Sequence, residues 1–490
     1  MALATTAASS SVSSPPFSSC LYHRRRRSCD VVTAASASPP RRSEAVQRED
    51  IVIVGAGVAG LATAVSLRRL GVGATVLEQG ASLRAGGTSL TLFKNGWRVL
   101  DAIGVADELR SKHLRIQGYV SLSLSLSLHC WCRLNGLPSS ELHGDVPADR
   151  RIKMRSAAGA TTDVLREFTF EEEAPGQEVR AVERRALLEA LASRLPPGAI
   201  SFSSKFRSIA GQGPDGTVLE LEDGRRILSK VVVGCDGVNS PIARWMSFSE
   251  PRYVGHMAFR GLARYDGGGG HPFEPKVNYI YGRGLRAGFV PVSPTKVYWF
   301  ICFNRPTPGP KVTDPAALKR EALELVRGWP ADLLAVMRDT PDNAVVRTPL
   351  VDRWLWPGLA PPASRGGVVL AGDAWHPMTP NLGQGACCAL EDAVVLARRL
   401  AAAAAGSGSG WATAEPYAEA MRAYERERWP RVFPLTARAG LVGALVQWGN
   451  PAVCAARDGV VIPRLVRLGP FLEHTNFDCG LLEPAAAPSP

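Results

Sequence analysis

The sequence has no Cys-x-x-Cys pair and no Cys/His spacing of the kind that holds a metal. Ten Cys are scattered over 490 residues. That pattern argues against a zinc module or a disulfide framework and suits a reducing compartment. The nearest approach to a motif is Cys130-Trp131-Cys132; Cys387-Cys388 begin a helix, point in different directions, and read as small packing residues. No stretch supplies the roughly 20 continuous apolar residues of a membrane span. The longest uncharged run, residues 439–456, is interrupted by Gln447 and Asn450-Pro451 and reads as a buried C-terminal helix, with peripheral membrane contact left open. There is no basic stripe interleaved with aromatics, so no nucleic-acid partner is expected. The formal net charge is +12, of which +4 lies in residues 1–49 and +8 in the remainder. So mild an excess suits a phosphate-bearing cofactor.

Acid is scarce at the front. Residues 1–47 are rich in Ala, Ser and Arg and have no apolar secretory core, the composition of a disordered organelle transit peptide. The Ser/Ala-rich opening ahead of the Arg cluster at 24–27 favours a chloroplast over a mitochondrion. A disordered tail with no address is the alternative.

The clearest unit is residues 51–78. Ile51-Val52-Ile53-Val54 suits a strand buried on both faces. A Gly-rich turn, a helix from Val58 to Leu70 and a second strand ending at Glu78 complete a βαβ unit. Two further apolar runs, Val231-Val232-Val233 and Val368-Val369-Leu370-Ala371, each lead into Gly and Asp, which suggests one parallel sheet built from distant segments. Between them, residues 277–303 are rich in aromatic and β-branched types and read as strands of a separate antiparallel sheet. From Trp411 the pattern is helical, with breaks at Pro430 and Pro451. Residues 121–128 alternate Ser and Leu without exception. An edge strand would fit, but so regular a repeat reads as a low-complexity insertion over 119–149.

Gly55-Ala56-Gly57-Val58-Ala59-Gly60 lies between strand and helix. The first Gly allows the turn, the second lets backbone approach a pyrophosphate, and the third allows close packing. Glu78 can accept hydrogen bonds from ribose hydroxyls. Residues 211–216 match the same Gly pattern, yet Pro214-Asp215 and the absence of a following helix make that copy a turn. A second loop some 310 residues later, Gly372-Asp373-Ala374-Trp375-His376-Pro377 running into Pro380-Asn381-Leu382-Gly383-Gln384-Gly385-Ala386, points to a cofactor longer than NAD. Asp373 can hold a ribityl chain. A helix beginning near Gly385 can stabilise an anionic reduced flavin by about 0.3–2 kcal/mol. The cofactor expected is FAD.

Taken in order with Gly234-Cys235-Asp236-Gly237, Ser240 and Arg244, these loops resemble the aromatic-hydroxylase-like (group A) FAD-dependent monooxygenases, a group that includes salicylate hydroxylases and zeaxanthin epoxidase. The resemblance runs from about Asp50 to Arg399. It implies an α/β fold: a doubly wound Rossmann-like FAD-binding domain (48–118, 178–244, 365–402), an inserted antiparallel β-sheet substrate domain (150–177, 245–364) and a C-terminal helical region (411–485). It also implies NAD(P)H as a transient co-substrate and insertion of one oxygen atom from O₂, through a flavin C4a-hydroperoxide, into an aromatic or isoprenoid-like small molecule. A plastid reductase or cyclase without oxygen insertion, or a catalytically silent FAD-binding regulator, are the rival readings. The family's flavin-side Arg falls on Arg184, with Arg185 a near competitor, and its second-loop Asp falls on Asp236, which equally well caps a helix. Arg260 falls where the substrate sheet begins, and either faces substrate or does not. His376 reads as an acid–base candidate or, beside Trp375 and Pro377, as a hydrogen-bonded packing residue.

Overall fold

The computed structural model describes residues 46–84, 89–124, 154–155, 161–406 and 415–482. The strand Gln47–Val54 lies in the middle of a sheet, flanked on both sides by parallel neighbours. Ile51 pairs with Val231 and Val52 with Thr75. Having neighbours on both edges and being covered on both faces, with Ile51 to Val54 all buried, this strand is apolar throughout its buried half. The sheet order is Ser364–Arg365, Val368–Leu370, Arg226–Gly234, Gln47–Val54, Thr75–Leu77, Ile200–Ser201. The three apolar runs thus lie side by side and parallel. Gln47 already pairs with Ile227, so the folded core starts inside the 1–47 segment assigned to the leader, a small correction to that boundary. The helices Val58–Arg69 and Gly385–Gly406 pack together against this sheet. The second extends past residue 402 to Gly406.

The second sheet has eight strands in the order Val346–Asp352, Arg252–Arg264, Lys296–Asn304, Leu285–Ser293, Lys276–Tyr281, Gly118–Leu124, Thr161–Thr169, Met154–Arg155. One pairing is parallel, Lys276–Tyr281 with Gly118–Leu124, and the rest are antiparallel. One face buries Phe259, Ile280, Trp299 and Ile301 against Leu318, Leu333 and Val336 of two helices, Pro315–Leu325 and Ala331–Arg338. Because successive side chains alternate faces, the opposite face carries Tyr279, Tyr281, Arg286, Tyr298, Phe300 and Arg260.

Three expectations need correction. The Ser-Leu repeat is no insertion at its start: Gly118–Leu124 is an interior strand, and Leu122 is 1% exposed. Strict alternation gave it one apolar and one polar face, and Ser123 on the polar face donates to Asp458 at 2.8 Å. Residues 125–150 lie outside those described. Leu122→Ala should therefore destabilise by about 2–5 kcal/mol, read by denaturant unfolding; no change would return the strand to the status of a dispensable edge. Second, Pro430 does not break the C-terminal region. One helix, Glu415–Val446, runs through Pro430 and Pro434, because burial of Tyr424, Arg428, Val432 and Leu435 on its inner face outweighs the missing N–H groups. Pro451 does mark a break, opening the helix Pro451–Ala456, which Asn450 caps. Third, residues 439–456 are no buried helix, since Leu441, Leu445 and Trp448 are exposed. No helix among the described residues is long and apolar enough to cross a membrane.

Candidate active site

The three glycines of the first loop differ in what surrounds them. Gly55 has φ +108, and a Cβ there would lie 2.4 Å from the Cys235 carbonyl oxygen. A Cβ on Gly60 would lie 1.9 Å from the Gly55 carbonyl oxygen. Both glycines serve chain packing. A Cβ on Gly57 would meet nothing within 4 Å, so the N-terminus of the helix Val58–Arg69 opens onto free space there. Glu78 ends the second strand and is tied to this loop: its Oε2 accepts from the Ala56 N–H at 2.9 Å and its Oε1 from the Gly80 N–H at 2.8 Å. The look-alike at 211–216 joins the strands Phe206–Gly213 and Gly216–Leu221 as a hairpin, turning at Pro214-Asp215.

The later loops meet the first. Gly372 has φ +59, and a Cβ there would lie 2.9 Å from Ala59 Cβ and 3.4 Å from Ala389 Cβ, so this turn is wedged between the two core helices. Asp373 is exposed at the end of that turn, yet loss of solvation pushes its carboxyl above the usual range, with His376 and Arg184 opposing. Pro380 opens a single 3₁₀ turn, Pro380–Leu382, and Gly383 leaves it at φ +63 against the Phe93 ring. Gly385 then begins the long helix, 4.0 Å from Asp373 Oδ1 as measured from its Cβ position, followed by half-buried Ala386.

Arg184 and Arg185 separate cleanly. Arg185 is exposed and bonds Glu189 at 2.7 Å. Arg184 opens the helix Arg184–Ala192 with its Nε buried and without a partner. Burial lowers its pKa, as do neighbouring Arg84 and Arg260, while Asp373 raises it. Asp236 lies just ahead of the helix Pro241–Trp245. Its Oδ2 accepts from the Ile242 N–H at 3.3 Å, while Oδ1 is buried with no partner. Burial raises the carboxyl to about 6. The helix cap itself is Ser240, whose Oγ accepts from the Ala243 N–H at 2.8 Å.

His376 is fully buried and sits 2.6 Å from Asp392 through Nε2. Asp392 also accepts from the Gly372 N–H at 2.9 Å and from Arg428 Nε at 2.8 Å. Burial alone would raise Asp392, but His376 and Arg428 hold it at about 2. Glu391 accepts from Arg428, Arg431 and Asn95 at 2.7, 3.0 and 2.7 Å. His376 thus belongs to a buried charged network beneath the Gly372-Asp373 turn. Sequence reasoning missed Glu391, Asp392 and Arg428. The available signal was two adjacent acids inside the apolar run of residues 386–397.

On the second sheet, Arg260 pairs in register with Phe300 and donates to Thr348 at 3.2 Å. Arg286, also missed, is buried and donates to Gln447 at 3.1 Å and to Asn381 of the 3₁₀ turn. Neither has a carboxylate partner among the described residues. Beside them half-buried rings form a wall: Tyr119 and Tyr279 stack at 6.1 Å, and Tyr279 meets Phe300 edge-on at 5.5 Å. Burial pushes the Tyr298 phenol up to about 12.

An open Gly57 loop, a strand-end Asp373, a helix N-terminus at Gly385 and unpartnered polar atoms on Arg184 and Asp236 make a site suited to a flavin dinucleotide. The chain matches the FAD-binding-domain family over residues 48–266 and 354–438. It is 35% identical over 442 residues to "Monooxygenase 2" of Arabidopsis thaliana, covering 89% of this chain and 98% of that one. It is 28% identical to the aurachin C monooxygenase/isomerase of Stigmatella aurantiaca, covering 83% and 92%. Among solved structures, HpxO of Klebsiella pneumoniae complexed with FAD and uric acid aligns with a TM-score of 0.64 at 20% identity, covering 89% of this chain and 94% of that one. The protein belongs to the FAD-binding monooxygenase family and is an FAD-dependent oxidoreductase.

Asp373→Ala should weaken FAD binding about 10- to 150-fold, the loss of a hydrogen bond to a charged group worth about 1.5–3 kcal/mol. Asp215→Ala, in the look-alike hairpin, should leave binding within about twofold. Equal flavin occupancy in the two variants would remove Asp373 from the ribityl site.

Proposed function

We propose that this monooxygenase inserts one atom of O₂ into an aromatic or isoprenoid-like small molecule, takes its electrons from transiently docked NADH or NADPH, and works in a plastid. The observation that carries the reading is the hydrogen bond from Arg286 on the second sheet to Asn381 in the Pro380–Leu382 turn. That bond ties the sheet face carrying the aromatic wall to the cofactor loop. FAD supplies the electron transfer and oxygen activation when bound; the chain's own residues bind, orient and exclude water. Gly57 and the helix behind it would face the pyrophosphate, Glu78 the adenosine ribose, Asp373 the ribityl chain, and Pro380, Gly383, Gly385 and Ala386 the ring. Arg184 and Asp236 would hold the ring's other side. The ring wall of Tyr119, Tyr279, Tyr298 and Phe300 suits a flat apolar substrate, and Arg260 and Arg286 suit a phenolate or carboxylate on it. The Ala/Ser/Arg-rich front supports the plastid address.

The test is oxygen uptake by the FAD-loaded protein with NADH or NADPH, against a panel of plastid aromatics and carotenoids. The reading expects FAD rather than FMN on denaturation, and nicotinamide oxidation that rises with one substrate class. Bound FMN, or oxidation indifferent to every compound, would overturn it.

A further inference from the structure

The helix Glu415–Val446 ends with its polarity reversed. Leu441, Ala444 and Leu445 recur on one face of the helix at i, i+3 and i+4, Trp448 follows two residues past its end, and all four face solvent. Leu441 is 65% exposed and Trp448 54%. An apolar stripe at this spacing ordinarily faces a core. Here the inward side is made of small residues: the Ala439 carbonyl accepts from Asn381, and a Cβ on Gly443 would collide with the Asn381 side chain at 2.0 Å. The helix is thus pressed onto the 3₁₀ turn of the flavin site while its outer side stays uncovered. The segment Arg457–Leu465 also exposes apolar side chains, Val460 and Leu465, and is tied to the helix end where Arg457 donates to the Val446 carbonyl at 2.9 Å.

Charge says what covers this face. Residues 439–456 contain no Asp, Glu, Lys, Arg or His, and Arg283 on the turn beside Trp448 and Arg464 and Arg467 on the following segment are exposed. Arg283 sits in the turn whose Gly284 N–H meets the Trp448 carbonyl at 3.3 Å. The acid on the adjoining segment, Asp458, is taken up by Arg457 and Ser123. A second copy docking through the same face would set these cationic rims against each other, since a two-fold interface apposes a patch with itself. An anionic lipid surface has the opposite charge and accepts Leu and Trp side chains at the headgroup boundary.

We propose that this C-terminal face docks the enzyme on an anionic bilayer, with the flavin loop one helix diameter above the lipid. The assay is co-sedimentation of the FAD-loaded full chain with vesicles of phosphatidylcholine alone or with phosphatidylglycerol. Leu445→Gln combined with Trp448→Gln should weaken partition into phosphatidylglycerol vesicles about tenfold or more. Leu441→Gln should act in the same direction, and Leu359→Gln, an exposed leucine elsewhere, should not. All variants keep the N-terminal arginines, so a difference reports on this face, and both altered side chains are exposed, so flavin content should not change. Equal partition of wild type and double variant would overturn the proposal. So would a lipid-free dimer that the double variant abolishes, which would give the face to a second copy. Binding needs no turnover, so its failure would leave the monooxygenase reading standing.

Discussion

Gly57→Ala is expected to fold normally and bind FAD on the order of a hundredfold more weakly, about 2.8 kcal/mol. Gly60→Ala is expected not to fold at all. Both put one methyl group into the same loop, three residues apart. At Gly57 the backbone is φ −82, ψ −172, which alanine adopts without strain, and the new Cβ meets no protein atom within 4 Å. Its effect on the empty fold is confined to a weaker helix cap, up to about 1 kcal/mol. The open space it enters is the space a pyrophosphate needs to reach the helix N-terminus. At Gly60 the Cβ would lie 1.9 Å from a backbone oxygen and 3.3 Å from Cys235 Cβ. The first helix would have to leave the central strand, and the apolar contacts of Val58 to Leu67 would go with it. Circular dichroism and flavin titration separate the outcomes. A Gly57→Ala protein with normal FAD affinity would show that the cofactor lies elsewhere.

Arg428→Met should destabilise the protein by about 3–5 kcal/mol without touching the cofactor, because it removes the buried cation shared by two core carboxylates and leaves Asp392 without an Arg partner. Arg428 is fully buried between Glu391 and Asp392. Arg431 still reaches Glu391 at 3.0 Å, but Asp392 would keep only His376 and the Gly372 N–H. Adding Glu391→Gln and Asp392→Asn should restore part of the loss, since the buried charge then disappears with its partner. The pH dependence has a definite sign. Asp392 is held at about 2, below its ordinary value of 3.8, so its contribution is complete above about 3.8 and is lost as pH falls towards 2. Without Arg428 its carboxyl titrates higher, so acid unfolding should begin at a higher pH than in the wild type. Unchanged denaturant and acid midpoints would mean that the network is not what holds this core.

What the sequence made legible was whatever one short segment encodes by itself. The three apolar runs, each leading into Gly, could be assigned to one parallel sheet because such strands are apolar on both faces. The look-alike glycines at 211–216 could be set aside because Pro214-Asp215 dictates a turn. Long-range partners were not legible. Arg428 on a charged helical stretch looks like a surface residue until Glu391 and Asp392, 37 and 36 positions earlier, are seen beneath it. Arg286 in an alternating strand carries no sign that Asn381 and Gln447 receive its hydrogen bonds. The Ser-Leu repeat was misjudged because its neighbours in the sheet are Lys276–Tyr281 and Thr161–Thr169, one of them more than 150 residues away. The uncharged run at 439–456 suggested burial because hydropathy records which residues are apolar and not which way a helix is turned.

The central claim is oxygen insertion by a flavin enzyme, and isotope incorporation tests it most directly. The FAD-loaded protein would be incubated with NADPH or NADH and a stimulating substrate under ¹⁸O₂, and the product weighed by mass spectrometry. The account predicts one heavy oxygen atom in each product molecule, with one nicotinamide oxidised per product. A product with no label, or nicotinamide oxidation that yields only hydrogen peroxide, would contradict it.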